Sequence, residues 1–275
     1  MVGPLIDVIV VLGIGVVLPL ALGHARMWVA VAAAVAVSLV LPIGPIAVVL
    51  AATWIVVGVG GLVGALRAAM TARVAPALLA DVVAPAYACV AGVAIVCSRG
   101  DVALFGIGEP IVELTAVHFT YAGVGAVALA GVVAGRHRVA GAVAVVVTSV
   151  APPIVAVGFV LEHPVPQVGG AVLMASGVLL IAGLQLSDAG HGTGASRSLL
   201  VVSGLAPWIP MVLAVAWAAS LYVDVPALGI PDMVRVHGTM NAVFVIAGLA
   251  ARRLRGELGV GAGGGRSEPV DPPGR

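Results

Sequence analysis

The sequence predicts an all-α, polytopic transmembrane helix bundle of about nine spans, and three observations predict it. Of the 275 residues, 61% are hydrophobic and only 9% are charged, against about 25% charged in an ordinary water-soluble chain. So few charges cannot cover such a core, and lipid must be the solvent. Apolar stretches of membrane length recur along nearly the whole chain. The basic residues are all arginine, and they fall mainly into alternate loops.

The stretches lie at about 4–22, 27–43, 46–66, 75–97, 110–134, 139–161, 168–187, 198–222 and 234–251, each near the ~20 residues that cross a ~30 Å hydrocarbon core. The first opens Met1-Val2-Gly3 without a basic segment and contains Asp7, so it reads as a retained helix rather than a cleaved signal. The second is short and is divided from the third by Pro42, Gly44 and Pro45. In the third, Gly60 and Gly64 form a small-xxx-small pair that would admit a neighbouring helix, as Gly131 and Gly135 do at the end of the fifth. Cys89 and Cys97 stand eight positions apart in the fourth, a spacing that fits neither a disulfide framework nor a CxxC pair and reads as packing. Pro152-Pro153 in the sixth should interrupt the helical ladder and free carbonyls toward a cavity. The embedded polar groups Asp81 and Gln185 lie toward the inner side, whereas His24, His137, His163 and His191 read as solvated loop residues.

Charge gives the sidedness. With nine spans, Arg26, Arg67, Arg73, Arg136, Arg138, Arg197, Arg252, Arg253 and Arg255 share one side, and only Arg99 and Arg235 take the other. Short positive loops are held in the cytoplasm, so the N-terminus is expected outside and the C-terminus inside. Residues 1–255 form the transmembrane domain on this reading. Residues 256–275, rich in Gly, Pro and charge, form a disordered cytoplasmic tail. Gly259–Gly264 matches GxGxxG in letters, but no strand precedes it and no helix follows, so no dinucleotide is expected. A net charge of +1 with scattered arginines excludes a nucleic-acid surface.

The fifth and ninth spans hold most of the polar groups inside the membrane, where each needs a reason to be present. At about 100° per residue, Thr115, His118 and Tyr121 share one face of the fifth span with Ala122 and Gly125, whereas Glu113 points about 140° away. Glu109 before Pro110 suits a helix start. In the ninth, His237 and Asn241 are four apart and face one way. His118 lies about 12 Å below Pro110, and Asn241 about 9 Å below Arg235. Both sets sit in the outer half, so one outward-facing pocket lined by Thr115, His118, Tyr121, His237 and Asn241 is geometrically allowed, with Glu113 as a nearby acid and Asp7 as a candidate addition.

The segments Gly108-Glu109-Pro110-Ile111-Val112 with Leu114 to Gly123, and Val236-His237-Gly238-Thr239-Met240-Asn241-Ala242, resemble the signatures of the YndJ-like family of bacterial polytopic membrane proteins. Members tend to carry an aromatic or histidine where Thr120 stands and an apolar residue where Glu113 stands. The resemblance implies a multi-pass protein of the bacterial cytoplasmic membrane, in a family sometimes labelled as transporters.

The expected function is transport or binding of a small or amphipathic molecule through the outward pocket. The alternative is an intramembrane enzyme acting on a lipid or isoprenoid by His/Glu acid-base chemistry. Ligation of haem or metal by His118 and His237 is a third reading. No HExxH, GxSxG, P-loop, Asp-rich or metal-ligand motif accompanies these residues, so no cofactor and no metal is expected. The expected partners are the bilayer and a small-molecule or lipid substrate.

Overall fold

The polar backbone of an apolar segment has no water to bond to in lipid, so each stretch must satisfy its own amides by coiling. A computed structural model describes residues 3–73 and 75–258. Nine apolar helices follow among these residues in the predicted order: α1 (Gly3–Leu22), α2 (Ala25–Val40), α3 (Pro45–Thr71), α4 (Pro76–Arg99), α5 (Ile111–Ala134), α6 (Arg138–Val160), α7 (Pro164–Ala189), α8 (Gly194–Ser220) and α9 (Ile230–Leu254). Among the described residues, eight of them are long and apolar enough to cross a membrane. The exception is α2, whose 16 residues span about 24 Å, short of a ~30 Å core. The chain is a multi-pass integral membrane protein.

Proline opens α3, α4 and α7, where its missing N–H costs nothing. The α1–α2 reversal is made by Gly23 and His24, both at positive φ. Between α4 and α5, Leu104 and Ile107 exchange two backbone hydrogen bonds of 2.9 Å around Phe105 and Gly106 at φ 52° and 84°, a tight hairpin turn of the kind that needs positive φ at both central positions.

Consecutive helices pack as neighbours from α2 to α9, and α9 closes back on α5 and α1. Helix α5 is the centre of the bundle, with 72% of its span buried, against 22% for α3 at the lipid-facing edge. Gly60 and Gly64 on α3 meet nothing within 4 Å, and of the second predicted pair only Gly131 is in close contact, against Ala80 of α4. The Gly60–Gly64 seam is therefore not where helices approach, and of the second pair Gly131 alone serves a close approach. Pro152 and Pro153 leave α6 helical throughout, yet they free a carbonyl as expected. Pro153 has no N–H for the Ser149 carbonyl, and the Tyr87 hydroxyl of α4 donates to that carbonyl instead.

The end of the bundle where α9 finishes is closed by an ion network. Asp188 of α7 pairs with Arg252 of α9 at 2.8 Å, Arg136 at 3.3 Å and His137 at 3.1 Å. Glu257 pairs with Arg252, Arg255 and Arg136 at 2.8, 2.7 and 2.9 Å. His137 is thus a network member rather than a solvated loop residue. Ordered contacts also continue through Glu257 and Leu258, past the predicted end of the helical domain at 255, while residues 259–275 of the expected tail lie outside the described residues.

Burial pushes the Glu257 carboxyl up, but hydrogen bonds and charge from Arg252 and Arg255 outweigh it and hold it below its ordinary value of 4.5. A depressed folded value means the pairing stabilises the fold above pH 4.5 and is lost as pH falls from there through the folded value. Glu257→Gln should accordingly flatten the acid limb of a stability-versus-pH curve measured in detergent, leaving the curve shallower below that pH than in the parent chain.

Candidate functional site

Three helices, α1, α5 and α9, converge within the bundle. Each carries one wide π-helical segment, Gly13–Val17 in α1, Phe119–Gly125 in α5 and Val234–Gly238 in α9. Such segments are rare and often sit at functional sites. His118 immediately precedes the one in α5, Tyr121 lies within it, and His237 lies within the one in α9.

Close approach is allowed by two glycines. A Cβ on Gly13 of α1 would stand 2.7 Å from Thr120 of α5, and one on Gly125 would overlap the Val245 side chain of α9. Helices α5 and α9 therefore touch, and the rings of His118 and His237 stack with centroids 6.1 Å apart and 28° between their planes.

The hydrogen bonds fix both rings. His118 Nδ1 donates to the Leu114 carbonyl at 2.8 Å. His237 Nδ1 donates to the Pro210 carbonyl of α8 at 2.9 Å, and its Nε2 accepts from Asn241 Nδ2 at 3.1 Å. For His237 this is the pattern of a neutral imidazole, with one donor and one acceptor nitrogen. The histidine ring of α9 is thereby tied to two helices.

Beside the stacked pair lies a cavity of about 520 Å³ walled by α1 and α4 to α9, within the size range of small-molecule sites. Thr115, His118, Tyr121, His237 and Asn241 all line it. Two of them have their only proton committed: the Tyr121 hydroxyl donates to the Ile9 carbonyl of α1 at 2.9 Å and Thr115 Oγ1 donates to the Ile111 carbonyl. These two are wall and buttress. His118 is exposed, and the surface it exposes is cavity wall. Phe159 and Trp217 stack at 5.9 Å on the α6–α8 side, and Phe105, 82% exposed on its hairpin turn, stands at the rim.

Glu113 is not brought to this cavity. Its carboxyl faces that of Asp7 on α1 within hydrogen-bonding reach, its Oε1 is buried without a partner, and neither acid lines the cavity. Glu109 accepts from the Glu113 backbone N–H at 3.3 Å, as a helix-start residue does.

Sequence reasoning missed Gln167. Helix α7 begins at Pro164, four residues earlier than the apolar stretch suggests, so Gln167 falls inside it. It is 2% exposed and lines the cavity. Its Oε1 accepts from the Tyr222 hydroxyl at 2.5 Å, and its Nε2 is buried with no partner. A strongly polar side chain one turn into an apolar helix was the available signal.

A family model described as YndJ-like protein matches residues 8–245 of this chain. No curated protein and no solved structure matches it.

Proposed function

The chain belongs to the YndJ-like family, and from that premise we propose that it binds a small apolar or amphipathic molecule inside the membrane, as a transporter or carrier. One observation carries the reading: a cavity of drug-like size whose few polar side chains include two stacked imidazoles from separate helices. Hydrocarbon offers such groups nothing, so the Nε2 of His118, left over once its Nδ1 is committed to Leu114, is best accounted for by a guest. The π-helical segments support movement, because each is a place where a helix can change its register around the cavity.

An enzyme working by acid-base chemistry would place a carboxylate beside the imidazoles. Glu113 faces Asp7 instead, and this favours binding over catalysis.

Counting the short α2 as a ninth crossing, the reading places the N-terminus outside and the C-terminus in the cytoplasm of a bacterial cell, supported by the arginine asymmetry. In a chain with Cys89 and Cys97 replaced by Ser, Val102→Cys should react with a membrane-impermeant maleimide on intact cells and Ala195→Cys only after permeabilisation. The opposite pattern would invert the topology.

Occupancy is tested by native mass spectrometry of the purified chain. Wild type should retain a discrete non-bulk lipid or small molecule, and His118→Ala should lower its occupancy by about ten-fold, the worth of one net hydrogen bond. Equal occupancy in the two proteins would remove His118 from the site.

A further inference from the structure

We infer that the cavity's guest is an uncharged lipid bearing a hydroxyl group, such as a long-chain alcohol or an acylglycerol; this deepens the binding reading above and rests on it.

The first ground is the absence of charge. None of the residues that line the cavity is Arg, Asp or Glu, and Asp7 and Glu113 face each other outside it. A phosphate, carboxylate or quaternary ammonium head would enter with its water removed and no counter-charge to replace it. Charged lipids are thereby disfavoured by the same physics that makes charge rare in membrane spans.

The second ground is what the polar groups have left to give. With Nδ1 of His118 committed to Leu114, its Nε2 is a lone-pair acceptor at the cavity wall. Gln167 has its oxygen occupied by Tyr222 and its Nε2 unpartnered although the residue is 2% exposed. The site therefore presents an acceptor from α5 and a donor from α7. A hydroxyl is the smallest neutral group that can answer either one, giving its proton to the acceptor or receiving from the donor. A ketone, ester or ether could satisfy Gln167 alone.

The remaining surface is aliphatic and aromatic, with Phe159, Trp217, Met174 and Val178 among its walls. It suits a hydrocarbon chain, and the Phe105 turn at the rim stands where such a chain would pass toward the bilayer.

The test uses the full chain in nanodiscs and a matched set of tritiated probes with one saturated chain: the primary alcohol, its methyl ether, the fatty acid and the alkyl phosphate. The alcohol should bind at least about ten-fold more tightly than each of the others. His118→Phe should erase the preference for alcohol over ether, His118→Gln, which still offers an acceptor, should keep it, and Gln167→Leu should weaken alcohol and ether alike. Acid or phosphate binding as tightly as the alcohol overturns the assignment of class while leaving a binding site in place. If none of the four binds saturably, the binding reading itself fails. The wild-type ranking alone decides between these outcomes if a variant does not fold.

Discussion

Replacing Asp188 with Ala is expected to destabilise the bundle by about 3–5 kcal/mol, the cost of stranding a buried charge. The magnitude turns on burial. An ion pair at an exposed surface is worth about 0–1 kcal/mol, but Arg252 is 0% and Asp188 3% exposed. Their contact of 2.8 Å is one of charges pressed together, without the alignment of a good hydrogen bond. Removing the carboxylate leaves the Arg252 guanidinium with Glu257 alone and takes from Arg136 and His137 their shared partner. Asp188→Asn should cost less, because it keeps an acceptor oxygen. Reversible unfolding in mixed micelles reads the difference, and a loss below about 1 kcal/mol for Asp188→Ala would show that the network behaves like a surface one.

Gly125→Ala should cost about 1–3 kcal/mol, as overpacking does in a close-packed interior, and should also weaken guest binding. The added Cβ falls on the Val245 side chain, so either α9 retreats from α5 or Val245 leaves its rotamer. Retreat would pull His237 from His118. The double variant with Val245→Ala should recover most of both losses, since the two positions share one contact. Gly60→Ala is the control: nothing lies within 4 Å of that position, and alanine's better helix propensity makes the change neutral or mildly favourable.

Much of the fold was legible in the sequence because lipid imposes one rule on every apolar segment, whichever residues compose it. That rule located α1 through α9 from runs of Val, Ala and Leu. The face of α5 bearing Thr115, His118 and Tyr121 was legible from helical period, as was the separation of Glu113 from it. What period cannot carry is which helices meet, and the contact of α5 with α9 depends on Gly125 facing Val245, a pairing 120 residues apart in the chain. The π-helical segments were not legible, because no local signal in Phe119–Gly125 or Val234–Gly238 marks one extra residue per turn. Gln167 was lost to a helix boundary set by hydropathy, and Asp188 to its position in the last turn of α7, where an acid looks like an interfacial residue. The glycine pairs misled for the opposite reason: in a chain with 37 glycines, spacing alone does not say which ones face a neighbour.

The central claim is that the space beside His118 and His237 is a binding site. Ala122 lines it, and Ala122→Trp would fill that space without touching either histidine's hydrogen bonds. Saturation binding of a neutral lipid to wild type and to this variant, each shown to be folded by its unfolding transition, is the most direct measurement. The account predicts saturable binding to wild type that falls by about a hundred-fold or more in the filled variant, the loss of roughly 3 kcal/mol of contact. Unchanged affinity in a folded Ala122→Trp chain would place the lipid elsewhere and contradict the account.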